Sequence, residues 1–478
     1  MIRRLFRART GAALLLSVTL VACSSGSRSS KGGMVASTSS AAPTTSTTTA
    51  PPPLPSPGGT TAALASAGVV QATLRLDHHA ALRERNSLSD LVTSSAPGLG
   101  AKAFLVEDRG FVRVLDLSGA TPRLERAIAL QATALMPGQA LGALSIQDER
   151  TALLTSSGTG AEAVWVFDPT AAQGPADVVR LDVGHLTVSW PAGTPNSAGA
   201  DVGGRALPIS YLSGAAIAGG RLWFTSSNFD RNFDLEPGTV FLYDWNPITR
   251  TASGAGGVIR TSAFNPTGLT RIVTPRGELL LVTCSGPFGT GPAAIDVIDP
   301  RGPAVVGRID LGATNAAGRV VVSPDGTRGY VGDSSAGLVH VLDLAGIGDL
   351  IGQPGTADLA ARRLGAWGLP AAGPSQYVSS IALSHTGRYL YAASFNESAV
   401  HVVDLAAPGV ATIVRGFART GDPANFEGLS SLVAVRPGVP GVDFQGPSLL
   451  VGTINISPTD QTIADVSIAI DAVELDRH

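Results

Sequence analysis

The chain has 478 residues, with 34 Lys and Arg against 37 Asp and Glu and a formal charge of −3. At 44% hydrophobic and 15% charged it is too apolar for a disordered chain, and it has no basic patch to serve nucleic acid. Fifty-seven glycines, 32 prolines and only 5% aromatic residues favour a turn-rich β protein, and lysine, confined to Lys31 and Lys102, leaves almost nothing for Schiff-base chemistry.

The N-terminus reads as a targeting segment over 1–22. "MIRRLFRART" carries Arg3, Arg4, Arg7 and Arg9, and "GAALLLSVTLVA" is an apolar run too short to span a bilayer. It ends at "LVAC", Leu20 to Cys23, which resembles a bacterial lipobox. The resemblance implies cleavage before Cys23 and acyl chains of the palmitate type on that cysteine. Each buried methylene contributes about 0.8 kcal/mol, so two or more chains form a stable anchor. Loss of the leader takes four of the 34 basic residues and no acids, leaving a net charge of about −7. The anchor rather than surface charge then holds the chain at an anionic membrane.

Residues 23–66 hold the lipidated cysteine and a Ser, Thr, Pro and Gly linker. With so few apolar side chains it cannot offset the entropy of ordering, and it reads as a disordered tether. Cys284 is the second of two cysteines. No internal disulfide is possible once Cys23 carries lipid, and "LLLVTCSG" reads as a strand end that buries the thiol. Asp77 to His79 places two adjacent histidines, which on a strand point to opposite faces and read as surface.

The remaining segment, 67–478, is repetitive. "VVVSPDGTRGYVGDSSAGLVHVLDLA" begins at Val320, and 61 residues on the chain reads "IALSHTGRYLYAASFNESAVHVVDLA". Each copy has an apolar run, a tight turn, a second run, a polar loop and a third run that alternates and ends in Asp. Looser copies end at Asp116, Asp168, Asp244, Asp299 and Asp471, besides Asp343 and Asp404. The expectation is an all-β fold, a seven-bladed β-propeller of four-stranded antiparallel blades. "SPDGTRGYVGDSSAGLVHVLDL" resembles the YVTN-type repeat of bacterial, lactonase-like propellers. The recurrent Asp residues read as strand-end caps that accept backbone amides. The slot three residues earlier holds Arg113, Trp165, Phe241, His340 and His401, and reads as packing rather than metal ligation.

Two insertions read as partner surfaces. One, Gly184 to Pro208, has Trp190 as its anchor; the other, Gly346 to Pro370, contains "TADLAARRLGA", which reads as a short helix packed on the rim. The last unit lacks an outer strand, and "GVVQATLRLD", Gly68 to Asp77, is expected to supply it.

Function is expected at one mouth of the channel. The loops entering the innermost strands supply Asn265, Asn315, Gln376, Asn425 and Glu427. The long loop Ser226 to Gly238 supplies Phe229 and Phe233 as apolar anchors beside Asp230, Asp234 and Glu236. Its three carboxylates lack the spacing of a twelve-residue calcium loop, so no metal and no cofactor is expected. An amide-rich mouth without a convergent His, Arg and carboxylate set suits binding better than acid–base work. No catalytic residue is assigned. The reading is a monomeric, membrane-anchored, extracytoplasmic binding or scaffold module of the bacterial cell envelope, at the outer membrane or cell surface, for a protein or glycan. The alternative is a propeller hydrolase of the lactonase type or a relative of the quinone-cofactor dehydrogenases, for which His185 beside Arg and Glu in the channel is the discriminating feature.

Overall fold

The computed structural model describes 70–76, 88–94, 98–107, 110–118, 123–131, 140–158, 162–230, 234–287, 291–334, 337–369, 378–384, 386–394, 399–405, 411–414, 426–435, 449–456 and 463–471. The expected leader, Cys23 and the linker lie outside these residues, as do Gln376, Asn425 and Phe233.

Antiparallel meanders are the unit of the fold. Within each, an inner strand hairpins to a second and a third strand in chain order, and in all but one sheet the outer strand follows them in the chain. Six sheets have four strands, with inner strands Leu88–Ser94, Ala140–Asp148, Leu212–Ala218, Ala316–Val322, Val378–Leu383 and Phe426–Val435. The sheet beginning at Pro266–Thr274 has five, because Ala357–Asp358 adds parallel to Ala304–Ala313. The expectation of seven four-stranded blades is thus corrected: six sheets are four-stranded. The inner strands touch one another in a closed cycle, and the architecture is a β-propeller.

The ring closes as the sequence predicts. Val70–Leu76 is the outer strand of the sheet built from Phe426–Val435, Leu449–Ile456 and Ile463–Asp471, pairing antiparallel with the last of these. First and last portions of the chain therefore share one sheet, which removes two open strand edges.

The repeated sentence has a local cause. Ser323 N–H donates to the Arg328 carbonyl at 2.9 Å, and Ser323 Oγ accepts Arg328 N–H at 2.9 Å. Ser384 makes the same two bonds to Tyr389, at 2.9 and 3.0 Å. Gly326 and Gly387 occupy φ +70° and +74°, which a side chain strains to adopt. Strand-end Asp residues cap the next turn as expected. Asp168 Oδ1 accepts from Thr170 and Ala171 N–H, and Asp299 accepts from Arg301 and Gly352 N–H. At Asp168 burial raises the carboxyl, but these bonds outweigh it and hold it below the usual carboxylate range.

Cores lie between blades. Phe104, Val112 and Val114 of one sheet pack with Leu144, Leu154 and Trp165 of the next. The slot three residues before the strand-end Asp is buried at Trp165, Phe241, His340 and His401 and half-buried at Arg113, and it is not uniformly apolar. Trp165 and Phe241 fill it with ring, while Arg113 pairs with buried Glu107, and His340 Nε2 lies 3.2 Å from Asp333 and 3.3 Å from Thr314. The equivalent Asp296, which sequence reading overlooked, is fully buried and accepts from Ser262 N–H at 2.7 Å.

The insertion holds no α-helix over 346–369, only 3₁₀ turns at Ile347–Leu350 and Ala360–Arg362. Its predicted helical stretch divides into Ala357–Asp358, a 3₁₀ turn at Ala360–Arg362 and the outer strand Arg363–Gly368. It does pack on the rim, where Leu359, 9% exposed, enters the neighbouring blade's core. Edge hydrogen bonds offered by Ala304–Ala313 and by Leu338–Asp343 override the modest helical propensity.

Candidate functional site

Neighbouring inner strands approach one another closely near their starting ends. The third residue of the inner strand is Gly142, Gly214, Gly268, Gly318 and Gly428 in five sheets, and Asp90 and Ser380 in the other two. These glycines permit close approach. A Cβ on Gly268 would stand 2.2 Å from the Gly318 carbonyl oxygen, and one on Gly214 2.9 Å from Leu269 N. Register shifts between Leu212 and Gly214 and between Pro266 and Gly268, so these two inner strands bulge there.

Asp90 and Arg319 bridge the channel. Asp90, 8% exposed, accepts Leu91 N–H at 3.0 Å and Leu144 N–H at 2.7 Å. Arg319, from the inner strand Ala316–Val322, pairs with Asp90 and donates to the Leu144 carbonyl at 2.6 Å. The guanidinium thereby ties three inner strands together across the axis.

On the far side of this bridge the channel opens into a vestibule of about 1470 Å³. Leu144 and Arg319 lie at its floor, and Ser145, Gln147, Ile217 and Arg271 on its walls. The rim carries the turn Asp148 to Arg150 and the turn holding Trp245, Pro247, Ile248 and Arg250. Its polar groups are largely matched to one another. Glu278 accepts from Arg271 and from Gly219 N–H at 2.8 Å, and Gln147 Oε1 accepts Ile217 N–H at 2.8 Å. Arg150 and Arg250 both lie 3.6 Å from the buried carboxylate of Asp168. Among the described residues that line it there is no histidine, cysteine or lysine. Such a site offers paired donors and acceptors around open space, with an apolar lip.

The residues proposed from sequence lie at the opposite end of the inner strands. Asn265 and Asn315 immediately precede inner strands, each 5% exposed. Their Nδ2 groups donate to Ser285 and Ser334 Oγ at 2.6 Å, and their carbonyls accept those serines' N–H at 3.0 and 2.9 Å. They clamp the entering loop to the end of the second strand. Asn265 does so at φ +56°, a conformation asparagine tolerates better than most residues. Glu427 lies on Phe426–Val435, opposite Asn455.

The described residues of the Ser226 to Gly238 loop are docked rather than free. Insertion strands Thr187–Ser189 and Ala206–Pro208 form a ribbon whose intervening segment bonds the loop. Ser197 N–H donates to Leu235 O, and Leu235 N–H to Ser197 Oγ, both at 2.8 Å. Phe229, expected as an exposed anchor, is 8% exposed and packs edge-on against Tyr211 at 4.8 Å, with Leu235 beside it. Its ring is the loop's own core, which corrects that expectation. Trp190 is likewise internal, 9% exposed beneath Arg260 at 5.5 Å. Asp230 Oδ1 accepts Asp234 N–H at 2.9 Å. Burial pushes the Glu236 carboxyl up to about 7, with Arg205 opposing the rise and Asp230 adding to it. Among the described residues no group of three His, Cys, Asp or Glu is placed to hold a metal. Cys284 is fully buried, and burial drives its thiol pKa well up, as expected of an inert thiol. His185 is exposed in the turn before the ribbon and does not line the vestibule.

The vestibule went unnoticed in the sequence because its residues come from the ends of strands in several different sheets and the hairpin turns beside them, and only the closed ring brings them together. The signal available was the ring of inner-strand glycines, broken by Asp90.

No family model matches the chain, and no curated protein sequence does. Solved structures resemble it in shape. The β-propeller domain of Cps50 (Swd1) from Myceliophteria thermophila is 13% identical, with a TM-score of 0.49 over 85% of this chain and 99% of that one. Kuenenia stuttgartiensis hydrazine synthase is 14% identical, TM-score 0.48, over 83% of this chain and 100% of that one. The Pseudomonas aeruginosa periplasmic gluconolactonase PpgL is 14% identical, TM-score 0.46, over 81% and 97%.

Proposed function

We propose that the protein is a non-catalytic binding module of the bacterial cell envelope, anchored through acylated Cys23, that holds its ligand in the vestibule. The observation that carries this reading is the vestibule itself: a large cavity walled by hydrogen-bonding side chains, with no histidine, cysteine or lysine among its described lining residues. Acid–base catalysis needs a poised proton donor and acceptor, and the exposed His185 stands apart from this cavity. The opposite loop face, with Asn265, Asn315 and the docked Ser226 to Gly238 loop, is then a rigid frame that holds the ring's shape. Counting the five-stranded sheet as a blade with an added edge strand makes the ring seven-bladed, with repeats of the YVTN-like class.

Envelope extracts passed over the purified full chain test the reading. A ligand retained by the wild type and lost with Arg271→Ala supports it. Hydrolysis of lactones or esters by the purified protein, weakened by His185→Ala, replaces it with the enzyme reading. Cys23→Ser moving the protein from membrane to soluble fraction tests the anchor.

A further inference from the structure

The vestibule has a composition that narrows the ligand's chemistry, given that it is the binding site. Four guanidiniums line it, from Arg150, Arg250, Arg271 and Arg319, with three carboxylates, from Asp148, Glu149 and Glu278. Two more carboxylates stand directly behind the wall: Asp90 on Arg319, and Asp168 between Arg150 and Arg250. The cavity is therefore no positive well. An anion would have to compete with carboxylates already seated on these arginines, and a cation at Glu278 with the Arg271 guanidinium already seated there, while Asp148 and Glu149 stand exposed at the rim.

Paired guanidinium and carboxylate groups instead present a donor edge beside an acceptor edge. The Arg271–Glu278 pair does so in half-exposed form, with side chains 34% and 26% exposed. That arrangement matches adjacent hydroxyls, each of which donates one hydrogen and accepts another. On the same wall Gln147 Nε2 donates to Ser145 Oγ at 2.5 Å, which leaves Gln147 its second amide N–H to offer.

The rim supplies the complementary half. Trp245 is half-buried, its body packed on the core that contains Phe241 and Tyr243, while it also lines the cavity. Beside it stand Pro247 and Ile248, the latter 91% exposed. An apolar, partly aromatic lip facing a wall of paired polar groups suits a ligand with one C–H face and one hydroxyl edge. The volume, about 1470 Å³, exceeds the roughly 300–1,000 Å³ of small-molecule sites, so a short chain fits better than a single small molecule.

We infer that the vestibule binds a neutral oligosaccharide, with a sugar ring stacked on Trp245 and its hydroxyls held by the Arg271–Glu278 pair and Gln147. The full chain, in a detergent without sugar headgroups, is applied to an array of neutral and acidic glycans. The best binder is then titrated by calorimetry. The expected result is a neutral glycan whose affinity falls about tenfold with Trp245→Ala and with Glu278→Gln, and changes less than twofold between 0.1 and 0.5 M NaCl, all on the order of a lost stacking or hydrogen-bond contact. Trp245→Phe keeps an aromatic face and should retain binding, and thermal midpoints confirm that each variant is folded. Binding of acidic glycans alone, an affinity that collapses with salt, no glycan binding at all, or indifference to Trp245→Ala each overturns the inference. Capture of a different envelope ligand that still depends on Arg271 leaves the binding-module reading standing while the sugar inference fails. Loss of every Arg271-dependent capture defeats both.

Discussion

Replacing Gly268 with alanine tests how tightly the inner strands must meet. The added Cβ would lie 2.2 Å from Gly318 O, 2.4 Å from Gly318 C and 2.8 Å from Arg319 N, all of them backbone of the next inner strand. No rotamer change relieves such contacts, so the two strands must part by about 1 Å to reach ordinary contact distance. Overpacking of this kind costs about 1–3 kcal/mol, and parting the strands also loosens the Thr267 Oγ1 bond to Gly318 N–H, 3.2 Å long. We expect about 3 kcal/mol. At about 2.1 cal/mol/K of unfolding entropy per residue over roughly 400 residues, that lowers the melting temperature by about 3–4 °C if the ring unfolds as one unit. Gly318→Ala is the control, because a Cβ there meets nothing within 4 Å and only the φ of +82° is strained, at about 1–2 kcal/mol. Gly268→Ala also pushes on Arg319 and should weaken vestibule binding, which Gly214→Ala, one blade away, should disturb less. Calorimetric scans of the variants decide the matter. A melting temperature within 1 °C of wild type for Gly268→Ala refutes the close-approach argument.

Deleting residues 70–76 removes the outer strand of the closing sheet and exposes the edge of Ile463–Asp471, so the melting temperature should fall by more than with any single substitution here; an unchanged transition contradicts the closure. Glu236 has a folded pKa of about 7 against an ordinary 4.5, so the folded state binds the extra proton between these values. Stability should therefore decline as pH rises from about 4.5 to 7 and level off above, by about 3–4 kcal/mol at about 1.4 kcal/mol per pKa unit. Denaturant titrations should show Glu236→Gln more stable than wild type at pH 8 and equal to it at pH 4. Phe229→Ala should cost about 3 kcal/mol through the lost Tyr211 contact, read by urea unfolding, and leave ligand affinity within twofold.

Much of the architecture is legible in the chain because a period-two pattern with Asp-Gly or Thr-Gly turns admits few arrangements. Ser323 and Ser384 make identical bonds, so the repeat in sequence is a repeat in turn chemistry. Ring closure by Val70–Leu76 follows from counting strands. The expected rim helix fails for the opposite reason: 357–368 meets two unpaired strand edges that local propensity does not reveal. The site was harder still. Asn265 looks like a polar residue at a mouth, yet its side chain is spent on Ser285, a partner twenty residues away. Phe229 looks exposed in a polar loop, yet the insertion around Trp190 brings Ser197 against that loop and covers it. Arg319 and Asp90 are 229 residues apart, and only the closed ring brings them together.

Amide hydrogen exchange, with and without the ligand captured from envelope extracts, tests the central claim most directly. Binding in the vestibule predicts slower exchange at Ser145 to Thr151, Ile217 to Gly220 and Arg271, with no change at Asn265, Asn315 or Asp234 to Gly238. Protection confined to the Asn265 and Asn315 face, with the vestibule amides unaffected, contradicts it.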